Sequence, residues 1–233
     1  MNLHAHKEPA PAAPPAQVVL TTRDLVLATG FQIPDFRVIT GLNLIHASRE
    51  TSATVLALTL AGRMKPNSGG VALDERLVTH RELFRDVALA GAAEIDRLER
   101  LVPAWTVVRE QVAWSRPWYQ PTPRNMDCVE DVARAFDAVG LELDDAALRA
   151  TKVGDLDVSA RLKLRTALAL IARPDPTLII VDDIDQLRSN HLRHKFLDAL
   201  KHLSSQVPVL AISANDAEEN NHVDNVIRIA GEK

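Results

Sequence analysis

The 233-residue sequence predicts an α/β fold, a largely parallel sheet flanked by helices with a helical subdomain set into it. Three observations carry this. Strand-like apolar runs alternate with Ala/Leu-rich helical stretches in the first and last thirds. Leu178-Ile179-Ile180-Val181 is apolar without a break, as a strand buried on both faces must be, and it ends in Asp182, Asp183 and Asp185. Between about Glu94 and Asp155 strand signals vanish and only helical patterns remain.

Residues 1–16 carry Pro9, Pro11, Pro14 and Pro15 among alanines and read as a disordered or polyproline-like tail. Residues 17–93 and 156–233 form the α/β core, and 94–155 the helical subdomain. Val18 to Leu27 alternates in part, as a half-buried strand does. Phe36 to Ile39 and Leu42 to His46 are the next strands, with Thr40-Gly41 turning between them. Thr51 to Arg63 is helical, with Thr51 or Ser52 as its cap. Lys65 to Gly70 is a strong turn signal before a strand at Val71 to Leu73. Val87 to Ala90 is a short buried strand. Helices follow at Thr106–Trp114, Asp127–Val139 and Asp144–Ala150, with Asp127 and Asp144 as expected N-caps. Ser159 to Ala172 is a helix that Pro174 and Pro176 keep from extending. Leu187 to Leu203 is amphipathic, with Leu192, Phe196, Leu200 and Leu203 on one face. Val209–Ser213 and Val226–Ile229 are the last strands.

Charge is mild: 27 basic against 31 acidic side chains give −4, which argues against a sequence-independent nucleic-acid binder and leaves protein partners open. Apolar residues make up 46% but aromatics only 4%, so the core must be aliphatic. The lone cysteine, Cys128, cannot form an internal disulfide and reads as a small buried or half-buried side chain. No apolar run approaches the roughly 20 residues that span a bilayer, and the N-terminus lacks a signal-peptide core. The expected setting is cytoplasmic, with peripheral attachment to the membrane's cytoplasmic face through a partner.

The order of features from Val18 to Ile229 resembles the nucleotide-binding subunit of ABC transporters, whose core is a P-loop NTPase fold. Four segments carry the resemblance: Ala61-Gly62-Arg63-Met64-Lys65-Pro66-Asn67-Ser68-Gly69-Gly70-Val71, Trp105 to Val112, Val153-Gly154-Asp155-Leu156, and Arg173-Pro174-Asp175-Pro176-Thr177 leading into the Leu178 strand. The family is an ATP hydrolase, and the resemblance places its phosphate-cradling Walker A loop at Ala47 to Thr54. A working loop needs glycines so that backbone N–H groups can wrap the phosphates, and a lysine to reach them. No glycine stands here, and Ala53 occupies the lysine position. Thr54 keeps the hydroxyl that would bind magnesium, Glu50 adds a charge that repels phosphates, and Arg49 is the one local counter-charge. Leu156-Asp157-Val158-Ser159 stands at the signature motif with Asp157 in place of a neutral residue. The expected glutamine falls near Ala92, the late histidine at Ala214 and the D-loop aspartate near Ser189.

Walker B is better kept. Asp182 stands at the magnesium position and Asp183 at that of the catalytic glutamate, about 1.5 Å short of a glutamate's reach. Phosphoryl transfer depends on positioning and electrostatic stabilisation, and little here supplies either. The resemblance and its gaps together imply a pseudo-ATPase, with no cofactor required and ATP and Mg²⁺ at most occasional ligands. Its partners would be a membrane permease-like subunit, a second ATP-binding subunit, or both. An active transporter ATPase with an unorthodox phosphate site built on Arg49, and a soluble adaptor without a membrane partner, are the alternatives. Trp105, Trp114, Trp118 and Tyr119 gather four of the nine aromatic side chains into a region that resembles the family's groove for a coupling helix; aromatic packing between the lobes is the competing reading. His191 and His194, and Asp216, Glu218 and Glu219, are solvated faces before they are metal ligands.

Overall fold

The computed structural model describes residues 16–47, 52–92, 98–215 and 222–229. The chain runs β1 (Val18–Val26), β2 (Arg37–Ile39), β3 (Leu42–Ala47), α1 (Ala53–Leu60), β4 (Ser68–Leu73), β5 (Arg76–Val78), α2 (His80–Asp86) and β6 (Val87–Ala90). Then come α3 (Ala104–Ser115), α4 (Glu130–Val139), α5 (Asp145–Ala150), α6 (Val158–Ala172), β7 (Leu178–Val181), α7 (Asn190–Leu203), β8 (Val209–Ser213) and β9 (Asn225–Ile229). Five strands form an all-parallel sheet in the order β6-β7-β8-β3-β9. The other four form a separate antiparallel sheet, β2-β1-β4-β5, which the sequence reading did not separate from the first.

Alternation along the parallel strands explains the unbroken apolar runs. Ile179 and Val181 of β7 face the cluster built with α3, α4, α6 and α7, whereas Leu178 and Ile180 face the cluster built with α1 and the antiparallel sheet. Both faces are covered, so every position of β7 is apolar. Asn43 fastens the sheets: its amide donates to the carbonyls of Ile39 (2.7 Å) and Val209 (3.1 Å) and accepts from the Ile39 N–H (2.9 Å).

Several local expectations change. Asp127 is not the cap of α4. A 3-10 turn at Met126–Cys128 precedes that helix, Asn125 accepts the Asp127 N–H, and the Asp127 carboxylate accepts the N–H of Asp145 at 2.8 Å. Asp144 does cap α5, accepting from Ala147 at 2.7 Å. Leu192 is exposed; the buried stripe of α7 is Arg193, Phe196, Leu197, Leu200 and Leu203. Cys128 is exposed rather than buried. The cap position of α1 is Ser52, in the left-handed region at φ +53°, with no side-chain cap bond. Helix α2 was unread, although Thr79 and Glu82 bond reciprocally as a capping box, which pulls the Glu82 carboxyl down to about 2.

Candidate functional site

Ligands of open parallel sheets bind outside the carboxyl ends of the strands. Here β7, β8 and β3 lie side by side and end together. Asp182, the first residue past β7, is buried; its N–H donates to the Ala90 carbonyl at 2.8 Å and its Oδ1 accepts the Asp183 N–H at 2.9 Å. Gly91 lets the backbone come this close. At φ +85° it suits glycine, and a Cβ there would stand 2.4 Å from the Asp182 carbonyl oxygen.

Asp183 adopts φ +55° and turns the chain into a short 3-10 segment, Ile184–Gln186. Its Oδ2 accepts from Gln186 Nε2 at 3.0 Å. Burial holds its carboxyl above the ordinary carboxylate value despite that bond, and the neighbouring Asp185 charge adds to the rise. Asp185 behaves in the opposite way. Burial pushes it up, but Arg193, the Ala214 N–H and the Ser213 hydroxyl outweigh burial and draw it below the usual range.

The bonds behind that shift tie three strand ends together. Arg193 Nη1 donates to Asp185 Oδ1 at 2.6 Å, and its Nη2 donates to Ser213 Oγ at 2.7 Å. Asn215 Nδ2 donates to Asp185 Oδ1 at 3.0 Å, and the Ala214 N–H donates to Oδ2 at 2.5 Å. Ser213 Oγ lies 2.9 Å from both Asp185 Oδ1 and the Asn215 carbonyl, so its one proton serves either. His46, at the end of β3, donates from Nδ1 to that carbonyl at 2.9 Å when the proton sits there. Arg193 and its role were not anticipated. The signal was present: a basic residue stood at the first position of the i, i+3, i+4, i+7 stripe of α7, and a core cation must meet an acid.

Thr54 lies half-buried in the first turn of α1, the helix that follows β3. Ala53 precedes it, and that turn holds no acidic residue. Arg49, with Ser48, Glu50 and Thr51, lies outside the described residues, as do Asp216, Glu218 and Glu219. Asp157 caps α6 by accepting the Ala160 N–H at 2.8 Å, so its carboxylate is turned back onto its own helix. Ala92 is fully buried, and Ser189 takes the cap position of α7.

The aromatic residues divide. Trp105 is held within the helical subdomain, its Nε1–H donating to Asp145 Oδ1 at 3.0 Å and the Arg149 guanidinium 4.0 Å from its ring centre. Trp114, Trp118 and Tyr119 are 79%, 95% and 68% exposed. Trp114 stands at the rim of a groove of about 400 Å³ between the edge strand β6 and helices α3 and α6, lined among others by Arg63, Leu89, Val107, Arg165 and Leu168. His194 stacks on His222 at 4.7 Å, and His222 Nδ1 is 3.0 Å from Asp198. Among the described residues no group of three or more His, Cys, Asp or Glu is placed to hold a metal ion.

The arrangement of parallel sheet, antiparallel sheet and inserted helices is the fold of the ATP-binding cassettes of ABC transporters. Solved structures share it along nearly the whole chain. CbiO1 from Clostridium perfringens, part of the ABC transporter complex CbiONQ, superimposes with a TM-score of 0.70 at 14% identity, over 91% of this chain and 85% of that one. The ADP conformation of MJ1267, an ATP-binding cassette of an ABC transporter, gives 0.68 at 16%, over 92% and 90%. A nucleotide-free cassette from an ABC transporter gives 0.70 at 17%, over 92% and 90%. No protein-family model and no curated protein matches the chain.

Proposed function

We propose that this chain is a cassette-fold subunit that has given up ATP hydrolysis and acts as a structural or regulatory partner of a membrane protein or of a competent ATPase subunit. The observation that carries the reading is the state of the crevice where a triphosphate would sit. Its β7–β8 side is occupied by the Asp185–Arg193–Ser213–Asn215 network. Its α1 side presents Ala53 where the phosphate-holding lysine would stand. Two observations among the described residues speak against a magnesium–triphosphate group: the Arg193 guanidinium is engaged with the Asp185 carboxylate, and Asp182 Oδ1 accepts the Asp183 N–H. No catalytic step is assigned to Asp183, Asp182 or Thr54.

The groove beside β6 supports the partner half of the reading. It has an apolar floor, charged rims and an exposed tryptophan, the composition of an interface hot spot. A short cytoplasmic helix of a membrane subunit is the occupant proposed. Among the described residues no helix is long and apolar enough to cross a membrane, so contact with the bilayer would run through such a partner.

Purified protein assayed with ATP and Mg²⁺ is expected to show no turnover above a no-enzyme blank. Magnesium-dependent hydrolysis that Asp182→Ala abolishes would overturn the reading.

A further inference from the structure

Four donors from two different elements converge on one carboxylate at the carboxyl edge of the sheet. Arg193 comes from α7, and Ser213, Ala214 and Asn215 from the end of β8. Arg193, Ser213 and Asn215 are also held by contacts other than the acid. Arg193 heads the buried stripe of α7, its side chain 5% exposed, and Phe196 and Leu197 anchor the same turn in the core. Ser213 ends a fully buried strand, and Asn215 is fastened to β3 through His46. The acid is the part that is delivered: Asp183, in its left-handed conformation, turns the chain so that Asp185 swings into the donors.

A buried ion pair holds only where the remaining lone pairs and protons are hydrogen-bonded as well, and such pairs seldom outperform apolar packing. Here a hydroxyl, a carboxamide and a backbone N–H point at the same two oxygens as the guanidinium. That is the donor set of an oxyanion site: a planar cation able to bind an oxyanion in two-pronged fashion, with a main-chain N–H beside it. It also sits where open parallel sheets receive anionic ligands.

We propose that Asp185 is a built-in anion that fills an oxyanion cradle formed by Arg193, Ser213, Asn215 and the Ala214 N–H. The cradle accepts a small tetrahedral oxyanion of the inorganic-phosphate class once the carboxylate is withdrawn. In the native chain the tethered carboxylate competes at high effective concentration, so a free phosphate, or the terminal phosphate of a nucleotide, is shut out.

The test is thermal unfolding of wild type, Asp185→Ala, and Asp185→Ala/Arg193→Met at pH 7. Each is titrated with sodium phosphate against sodium chloride of equal ionic strength. Phosphate raises every Tm as an excluded salt, so the reading is the difference from wild type. Asp185→Ala is expected to gain a saturable extra rise of about 2–4 °C that the double variant lacks. A second titration with ATP separates the sources: a rise with phosphate alone marks a free-anion site, and a rise with both marks one open to nucleotides. No extra rise with phosphate in Asp185→Ala, or the same rise in the double variant, overturns the proposal. Should Asp185→Ala fail to fold, Asp185→Ser takes its place, its shorter side chain leaving room for the anion; the absence of a phosphate-specific rise there overturns the proposal equally. The readout is anion binding, so its failure stays distinct from a failure of the pseudo-ATPase reading, which ATP turnover measures.

Discussion

The two sides of the crevice at the carboxyl end of the parallel sheet are built on opposite principles. On the β7–β8 side Asp185, Arg193, Ser213 and Asn215 bond to one another, and the groups joined come from three strand ends and a helix. On the α1 side the helix begins at Ser52 without a side-chain cap, in a backbone conformation that non-glycine residues avoid, and its first turn offers no charge. Closure on one side and plainness on the other show what fastens each. The strand ends on the closed side are tied together by bonds within the chain, whereas the start of α1 is held by little beyond its backbone.

The largest effect is expected from breaking the closed side. Arg193→Met removes a buried guanidinium and strands the mostly buried Asp185 carboxylate among donors that cannot neutralise it. Losing one partner of a buried pair costs about 3–5 kcal/mol. Urea unfolding of Arg193→Met should show a loss of that size, and Arg193→Met/Asp185→Leu should recover a large part of it. If the double variant is no better than the single, the network's value lies in packing rather than in charge. The pH response follows from the depressed Asp185 carboxyl. A lowered folded value means the folded state gives up its proton more readily than the unfolded chain. The pair's stability is therefore present above about pH 4, the unfolded value, and is lost as pH falls through the folded one.

How much of this was legible in the sequence depends on burial and length. Leu42 to His46, Val87 to Ala90 and Leu178 to Val181 were readable because strands covered on both faces cannot hide their apolar character. Strand β5 was not: Arg76, Leu77 and Val78 span three residues that are mostly exposed, so no alternation exists to detect. Helix α2 buries only Leu83 and shows no stripe, and its Thr79–Glu82 capping box was the sole clue. In the crevice, Asp182, Asp183 and Asp185 stood out because acids ending an apolar run are conspicuous. Their partners did not. Ser213 and Asn215 lie 28 and 30 positions from Asp185, and His46, which bonds to the Asn215 carbonyl, lies 139 away; they come together only because parallel pairing aligns the ends of β3, β7 and β8.

An intermediate effect is expected on the plain side. Ser52 holds φ +53° with no side-chain cap bond to the helix it opens. A left-handed conformation costs a non-glycine residue roughly 1–2 kcal/mol, and glycine adopts it freely at some cost in unfolded-state entropy. Ser52→Gly should therefore stabilise the fold by about 0.5–1 kcal/mol in urea unfolding. A loss would mean that Ser52 makes a contact that sets the start of α1.

The smallest effect separates the two acids that share one turn. Asp183 also sits in the left-handed region, at φ +55°, but its carboxyl is held above its ordinary value, chiefly by burial. A raised folded value means the native state holds its proton longer than the unfolded chain. Stability therefore falls as pH rises from about 4 through the folded value, and the penalty is complete above it. Asp183→Asn removes the charge, keeps an oxygen for Gln186, and places in the left-handed region a residue that tolerates it. The side chain is only partly buried, so solvent screening limits the gain to about 0.5 kcal/mol at pH 7. That gain should vanish below pH 4, where Asp183 is protonated in both states. Asp185→Asn should do the reverse, costing stability at pH 7 and little in acid. Opposite signs from two aspartates two residues apart, measured by unfolding at pH 7 and shrinking as the pH is lowered through each folded value, would show that the turn works by pairing one acid and not the other; equal signs would collapse the distinction between them.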